Sequence, residues 1–224
     1  MTEVLARLRG IDRRFGSVLA LDGADLDLSP GEVHGVLGAN GAGKTTLVNV
    51  LGGMLQPQGG VLEVGGSPVT LRGPRDAWRH GISLVHQHFT LVPAFSVLEN
   101  LALGVGKSQE SVRAEAEELQ ARTDLRVRLG APVAQLGVGD RQRVEILKAL
   151  LRRPRILVMD EPTAVLTPGE IVSLFSLLRD LASDGRAVVL VAHKIDEVLG
   201  VADRITVLRA GRTVLTGASR DHEA

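Results

Sequence analysis

At 224 residues the chain is long enough to bury the core of one large α/β domain. Its 26 basic and 26 acidic side chains cancel, and no basic cluster is interleaved with aromatics, which argues against a nucleic-acid partner. There is no cysteine for a disulfide framework, the first residues lack a secretory pattern, and every apolar run falls short of the ~18 residues a membrane helix needs, so the expectation is a cytoplasmic protein.

Residues 4–8 and 20–28 read as short strands joined by Gly-containing turns, and 61–64 as a third, together suggesting a small antiparallel β layer. GEVHGVLG is the first of five Val/Ile/Leu-rich runs of the kind buried on both faces of a parallel sheet. GISLVHQ, RILVMDEP, AVVLVAHK and RITVLRAG follow it, and helix-like segments at 44–51, 140–151, 168–182 and 196–201 supply the crossovers. Residues 96 to about 123 read as helical, with a charged stretch, QESVRAEAEELQAR, that suits a solvated face. The fold expected is α/β: a mainly parallel core sheet, an N-terminal antiparallel β layer and a helical subdomain. The division expected is one domain over 1–224, with 1–95 and 141–224 forming the core and β layer and about 96–140 the helical part.

GANGAGKTT, residues 38–46, satisfies G-x-x-x-x-G-K-[ST] directly after an apolar run and before a helical segment. Gly38, Gly41 and Gly43 let the backbone wrap close to phosphate oxygens, so that the amides from Ala39, Asn40 and Ala42 through Thr46 can face an anion. Lys44 can reach the β and γ phosphates as a point charge, and the Thr45 hydroxyl can ligate the Mg²⁺ that bridges them. RILVMDE delivers Asp160 and Glu161 to a strand's C-terminal end, where Asp160 would hold Mg²⁺ and Glu161 would polarise the attacking water. The motifs so far describe a P-loop NTPase.

Between and after these motifs stand VHQHFTLVPAFSVLENLALG, QLGVGDRQRVEILKALLRRPRILVMDEPTAVLTPGE and AHKIDEVLGVADRITVLRAGR. In this order they resemble the nucleotide-binding domain of an ABC transporter over nearly the whole chain, and HQHF and EPTAVLTP are most similar to ATPases of nucleoside and simple-sugar importers. The resemblance implies that Gln87 contacts Mg²⁺ or the attacking water and connects the site to a membrane partner, and that His193 bonds the γ phosphate. It also implies that Phe15 stacks on adenine, against the alternative that a lone Phe near a strand belongs to the core. His86 and His88, which flank Gln87, are assigned to packing or capping.

Two departures from the family pattern are visible. The usual L-S-G-G-Q appears as Leu136, Gly137, Val138, Gly139 and Asp140, so the serine is missing. The resemblance implies that Gly137, Val138 and Gly139 face the ATP of an opposing domain through backbone donors, while Asp140 is expected to N-cap the helix that follows. Where many relatives have S-A-L-D, this chain has Ala164, Val165, Leu166 and Thr167, and Thr167, Pro168 and Glu170 form a capping box. What is implied is an ATPase, with ATP and Mg²⁺, at the cytoplasmic face of the cell membrane, energising import of a nucleoside or sugar. Its partners would be integral-membrane permease subunits and a second ATPase domain, with a solute-binding protein involved indirectly. A non-transport ABC ATPase and an ATP-dependent assembly module with little hydrolysis are the alternatives.

Overall fold

The computed structural model describes residues 4–219, so residues 1–3 and 220–224 of the expected domain lie outside the described residues. The strands are β1 (Ala6–Phe15), β2 (Val18–Leu28), β3 (Val33–Leu37), β4 (Gly59–Val64), β5 (Ser67–Pro68), β6 (Ile82–Val85), β7 (Ile156–Asp160), β8 (Ala187–Val191), β9 (Arg204–Arg209) and β10 (Arg212–Ala218). The helices are α1 (Lys44–Leu51), α2 (Pro74–Arg79), α3 (Val97–Val105), α4 (Gln109–Thr123), α5 (Val138–Leu150), α6 (Pro168–Ser183) and α7 (Ile195–Leu199).

Two sheets result, one antiparallel in the order β2-β1-β4-β5 and one in the order β10-β9-β3-β8-β7-β6. In the second, β9, β3, β8, β7 and β6 run parallel and only β10 is antiparallel, as the edge partner of β9. Every residue of β3, β7 and β8 is buried, which is why their sequences are dominated by apolar residues rather than alternating. Each fully buried Val, Leu or Ile contributes about 1.5–3 kcal/mol by leaving water, so these three strands anchor the core. One apolar cluster joins the sheet to α3, α5 and α6, and a second joins its other face to α1 and the antiparallel sheet.

The helical stretch expected at 96–123 is two helices. Ser96 and Glu99 form a capping box that starts α3. Gly106 then ends it in the left-handed region at φ 69°, where a Cβ is unfavourable, and Ser108 caps α4. The start of α5 also differs from expectation. Gly137 is its N-cap, and Asp140 lies inside the first turn, where its Oδ1 accepts from Arg143 at 2.6 Å. Asp140 therefore caps nothing; three residues into the helix it complements the positive N-terminal end and pairs with Arg143. The expected boundary near residue 140 falls within this same turn.

Candidate functional site

The strand order decides which loops meet. β3, β8, β7 and β6 are consecutive neighbours, and their C-terminal ends lead respectively into the glycine loop, His193, the Asp160–Glu161 pair and Gln87. Register holds these ends level, with Val36 opposite Val191, Val191 opposite Asp160 and Val85 opposite Met159. Residues scattered from position 38 to position 193 thus line one edge of the sheet, where open α/β sheets bind ligands.

The glycine loop is constrained from below. Gly38 has φ 155° and Gly43 has φ 104°, and a Cβ on them would lie 2.5 Å from the Leu208 carbonyl oxygen and 2.6 Å from that of Ala20. Gly41, at φ 78°, has open space instead. α1 begins at Lys44 with no side-chain cap, so its first amides face the loop as free donors of the kind an anion satisfies. Lys44 is 5% exposed, and its Nζ donates to the carbonyls of Gly38 at 2.7 Å and Ala39 at 3.1 Å, which keeps the ammonium folded against the loop. Burial lowers its pKa, and Glu161 and Asp160 oppose that shift.

Thr45 Oγ1 lies 3.4 Å from Asp160 Oδ1, which brings together the two hard oxygen donors expected for Mg²⁺. Asp160 is 3% exposed, and its burial raises its pKa, a shift that the neighbouring charge of Glu161 reinforces. Such a site suits a small divalent cation, because the cation repays the desolvation of the carboxylate. Among the described residues no group of three or more His, Asp or Glu could hold a metal alone, but Mg²⁺ bound partly by substrate phosphates needs only one or two protein oxygens.

Glu161 has φ 52°, an unusual value for a residue with a Cβ, and its N–H donates to the Val191 carbonyl at 2.9 Å. Its carboxylate sits between two side chains. Gln87 Nε2 donates to Oε2 at 2.7 Å, and His193 Nε2 packs against Oε1. Sequence reasoning missed what holds His193 in place. Glu197 on α7 accepts from Thr163 Oγ1 at 2.6 Å and from Lys194 Nζ at 2.8 Å, tying the helix after His193 to the turn after Glu161. These bonds lower the pKa of Glu197 although burial alone would raise it. A Thr two residues after the acidic pair and a Glu four after the His were the available signals, and neither spells a motif.

Phe15 is 43% exposed, with the Arg13 guanidinium 4.9 Å from its ring centroid, so it is not a core residue. It ends β1 in the hairpin whose second strand carries Ala20, the residue that crowds Gly43. Gly137, Val138 and Gly139 form the N-cap and first turn of α5, and Gly137 makes no side-chain cap bond. His86 lines a cleft of residues that includes Trp78, Thr90 and Arg152, whereas His88 is exposed. Burial lowers the pKa of His86.

A loop that offers amides and one ammonium to an anion, with oxygen donors for its metal on the neighbouring strands, defines a P-loop nucleotide-binding domain of the ATP-binding cassette type. The family description "ABC transporter" matches residues 21–164, and the chain belongs to that family. It is 43% identical over 220 residues to "Nucleoside import ATP-binding protein NupA" of Lactococcus lactis subsp. cremoris, covering 96% of this chain and 44% of that protein. It is 46% identical over 220 residues to "Ribose import ATP-binding protein RbsA 3" of Rubrobacter xylanophilus, with the same coverages of 96% and 44%. The chain therefore spans less than half the length of these curated relatives. Among solved structures it resembles a dimeric, post-hydrolysis ATP-binding cassette, MJ0796, bound to ADP and Pi. The TM-score is 0.85 at 28% identity, covering 96% of this chain and 99% of that one.

Proposed function

We propose that this chain binds and hydrolyses ATP to energise import of a small solute through an ABC transporter. The observation that carries the reading is the pair of contacts holding Glu161, from Gln87 on Oε2 and His193 on Oε1. A carboxylate aimed by two polar side chains at a phosphate-binding loop is what a base acting on water requires. The amides from Ala39 to Thr46 and the Lys44 ammonium cradle the phosphates, and Phe15 offers its open ring face to the adenine. Glu161 accepts a proton from the water whose oxygen bonds to the γ phosphorus as the bond from that phosphorus to the β–γ bridging oxygen breaks and ADP leaves, while Lys44 and His193 offset charge on the phosphate oxygens. Mg²⁺, held by Thr45 and Asp160 with Gln87 beside it, supplies Lewis-acid neutralisation of the phosphates when bound.

Two cassettes close face to face in this reading, each ATP lying between one glycine loop and the Gly137–Gly139 amides of the opposite domain. The dimeric MJ0796 cassette supports the pairing of two cassettes. The relatives' names, nucleoside import and ribose import, support a nucleoside or simple sugar as the solute; integral-membrane permease subunits as partners and a place at the cytoplasmic face belong to this reading of ATP-driven import. Among the described residues no helix is long and apolar enough to cross a membrane. Residues about 96–140 would act as the helical subdomain that presents Leu136–Asp140, the counterpart of L-S-G-G-Q and so the signature segment, and the remaining described residues as the ATP-holding body.

The experiment is ATP hydrolysis with Mg²⁺ by the purified chain over a range of protein concentrations, beside Lys44→Ala and Glu161→Gln. Turnover that rises faster than linearly and vanishes in both variants is expected. ATP retained without turnover would instead favour the assembly-module reading.

A further inference from the structure

The loop carrying Gln87 is clamped by a buried ionic group on the same helix that carries the signature segment. Glu145 and Lys148 are 4% and 8% exposed, and both project from α5. Glu145 Oε1 accepts the Thr90 hydroxyl at 3.0 Å and the Thr90 N–H at 2.5 Å. Lys148 Nζ donates to Thr90 Oγ1 at 2.7 Å and pairs with Glu145 Oε2 at 2.6 Å. One hydroxyl therefore donates to the carboxylate and accepts from the ammonium, closing a three-membered polar ring.

Burying two charges is costly, and apolar residues of similar volume often serve stability as well, so an ion pair here points to fixed registry. The element whose registry it sets is the segment three residues beyond Gln87. At the N-terminal end of the same helix, six to eight residues or ~9–12 Å from Glu145, stand Gly137, Val138 and Gly139. A helix moves as a unit, so displacement of the signature end shifts the Thr90 anchor, and three residues of chain leave Gln87 little slack.

We propose that Thr90, Glu145 and Lys148 are positioning residues, which set the Gln87–Glu161 contact and make it follow the placement of the signature helix. The proposal rests on the roles given above to Gln87 and Glu161. None of the three residues touches the glycine loop, so the effect belongs in kcat and not in the affinity for ATP.

The test is Thr90→Val, which keeps the shape and removes only the hydroxyl, beside Thr90→Ser, each made also in a Gln87→Ala background. Thr90→Val is expected to lower kcat about tenfold with KM for ATP within about twofold, and Thr90→Ser to restore it. In the Gln87→Ala background Thr90→Val should have no further effect, because its influence passes through Gln87. Equal losses in both backgrounds, or an undiminished kcat, would overturn the assignment. If the unmodified chain turns over no ATP, the functional reading fails by itself and hydrogen exchange decides the clamp. Faster exchange at residues 88–92 in Thr90→Val sustains the clamp, and unchanged exchange refutes it.

Discussion

Replacing Glu161 by Gln tests the chemistry with the least disturbance of the fold. The side chain keeps its length and shape but loses the basic oxygen, and removal of a positioned general base lowers the rate by ~10²–10⁴-fold. The structural cost is small and has two opposing parts. Both carboxylate oxygens have neighbours, Gln87 Nε2 at 2.7 Å from Oε2 and His193 Nε2 against Oε1, whereas an amide has one acceptor. One of the two contacts therefore loses its acceptor oxygen, a loss of ~0.5–1.5 kcal/mol. Against that, the negative charge that helps to raise the pKa of Asp160 disappears, which relieves a buried carboxylate. Net stability should change by no more than about 1 kcal/mol, and ATP affinity should hold, because the glycine loop is untouched. Single-turnover hydrolysis of bound ATP, with a melting curve on the same sample, measures both. Hydrolysis within about threefold of the unmodified chain, with ATP demonstrably bound, would refute the assignment of Glu161 as the base.

Other substitutions probe the supports of the site. Asp160 has a folded-state pKa above its unfolded one because it is buried, so its own contribution to stability is fully present at low pH and is lost as pH rises through the raised value. Asp160→Asn should consequently raise the melting temperature more at pH 8 than at pH 4 while removing Mg²⁺-dependent turnover; an equal gain at both would contradict this. Gly43→Ala places a methyl 2.6 Å from the Ala20 carbonyl oxygen at φ 104°, and should cost about 1–3 kcal/mol in denaturant titration, more than Gly41→Ala, where only the backbone angle opposes it. Thr167→Ala removes the capping box with Glu170 that opens α6 and should cost ~1 kcal/mol, read from the shift in urea midpoint. A Cβ at Gly137 meets nothing within 4 Å, so packing does not require glycine there. Gly137→Ser should stabilise α5 by only a few tenths of a kcal/mol, yet raise turnover at high protein concentration by about tenfold through a restored bond to ATP across the dimer. Unchanged turnover would mean that the backbone amides suffice.

The parts of the fold legible in the sequence are those governed by local chemistry. β3, β7 and β8 are buried on both faces and could be read from their apolar runs, as could α1 behind its glycine loop and α6 behind Thr167, Pro168 and Glu170. Other elements gave weaker signals. α2 is only six residues long, and β10 is an edge strand whose residues alternate between half-buried and exposed, so neither has an apolar run. The start of α5 was misplaced because glycine caps a helix without a side-chain signature, and the nearby Asp140 offered a more conventional one.

The candidate site divides along the same line. Lys44, Thr45, Asp160 and Glu161 belong to contiguous motifs whose chemistry follows from neighbouring residues, so the sequence alone determined that a phosphate-binding loop and an acidic strand end exist. That Gln87 bonds Glu161, 74 positions away, was decided by the order in which parallel strands pair, a property of tertiary packing that no local pattern encodes. The Thr90, Glu145 and Lys148 ring depends on tertiary structure even more fully. In the sequence its acid and base look like a solvated pair one helical turn apart, and only the burial of α5 against the sheet and α3 takes them out of water and gives them a partner in the Gln87 loop.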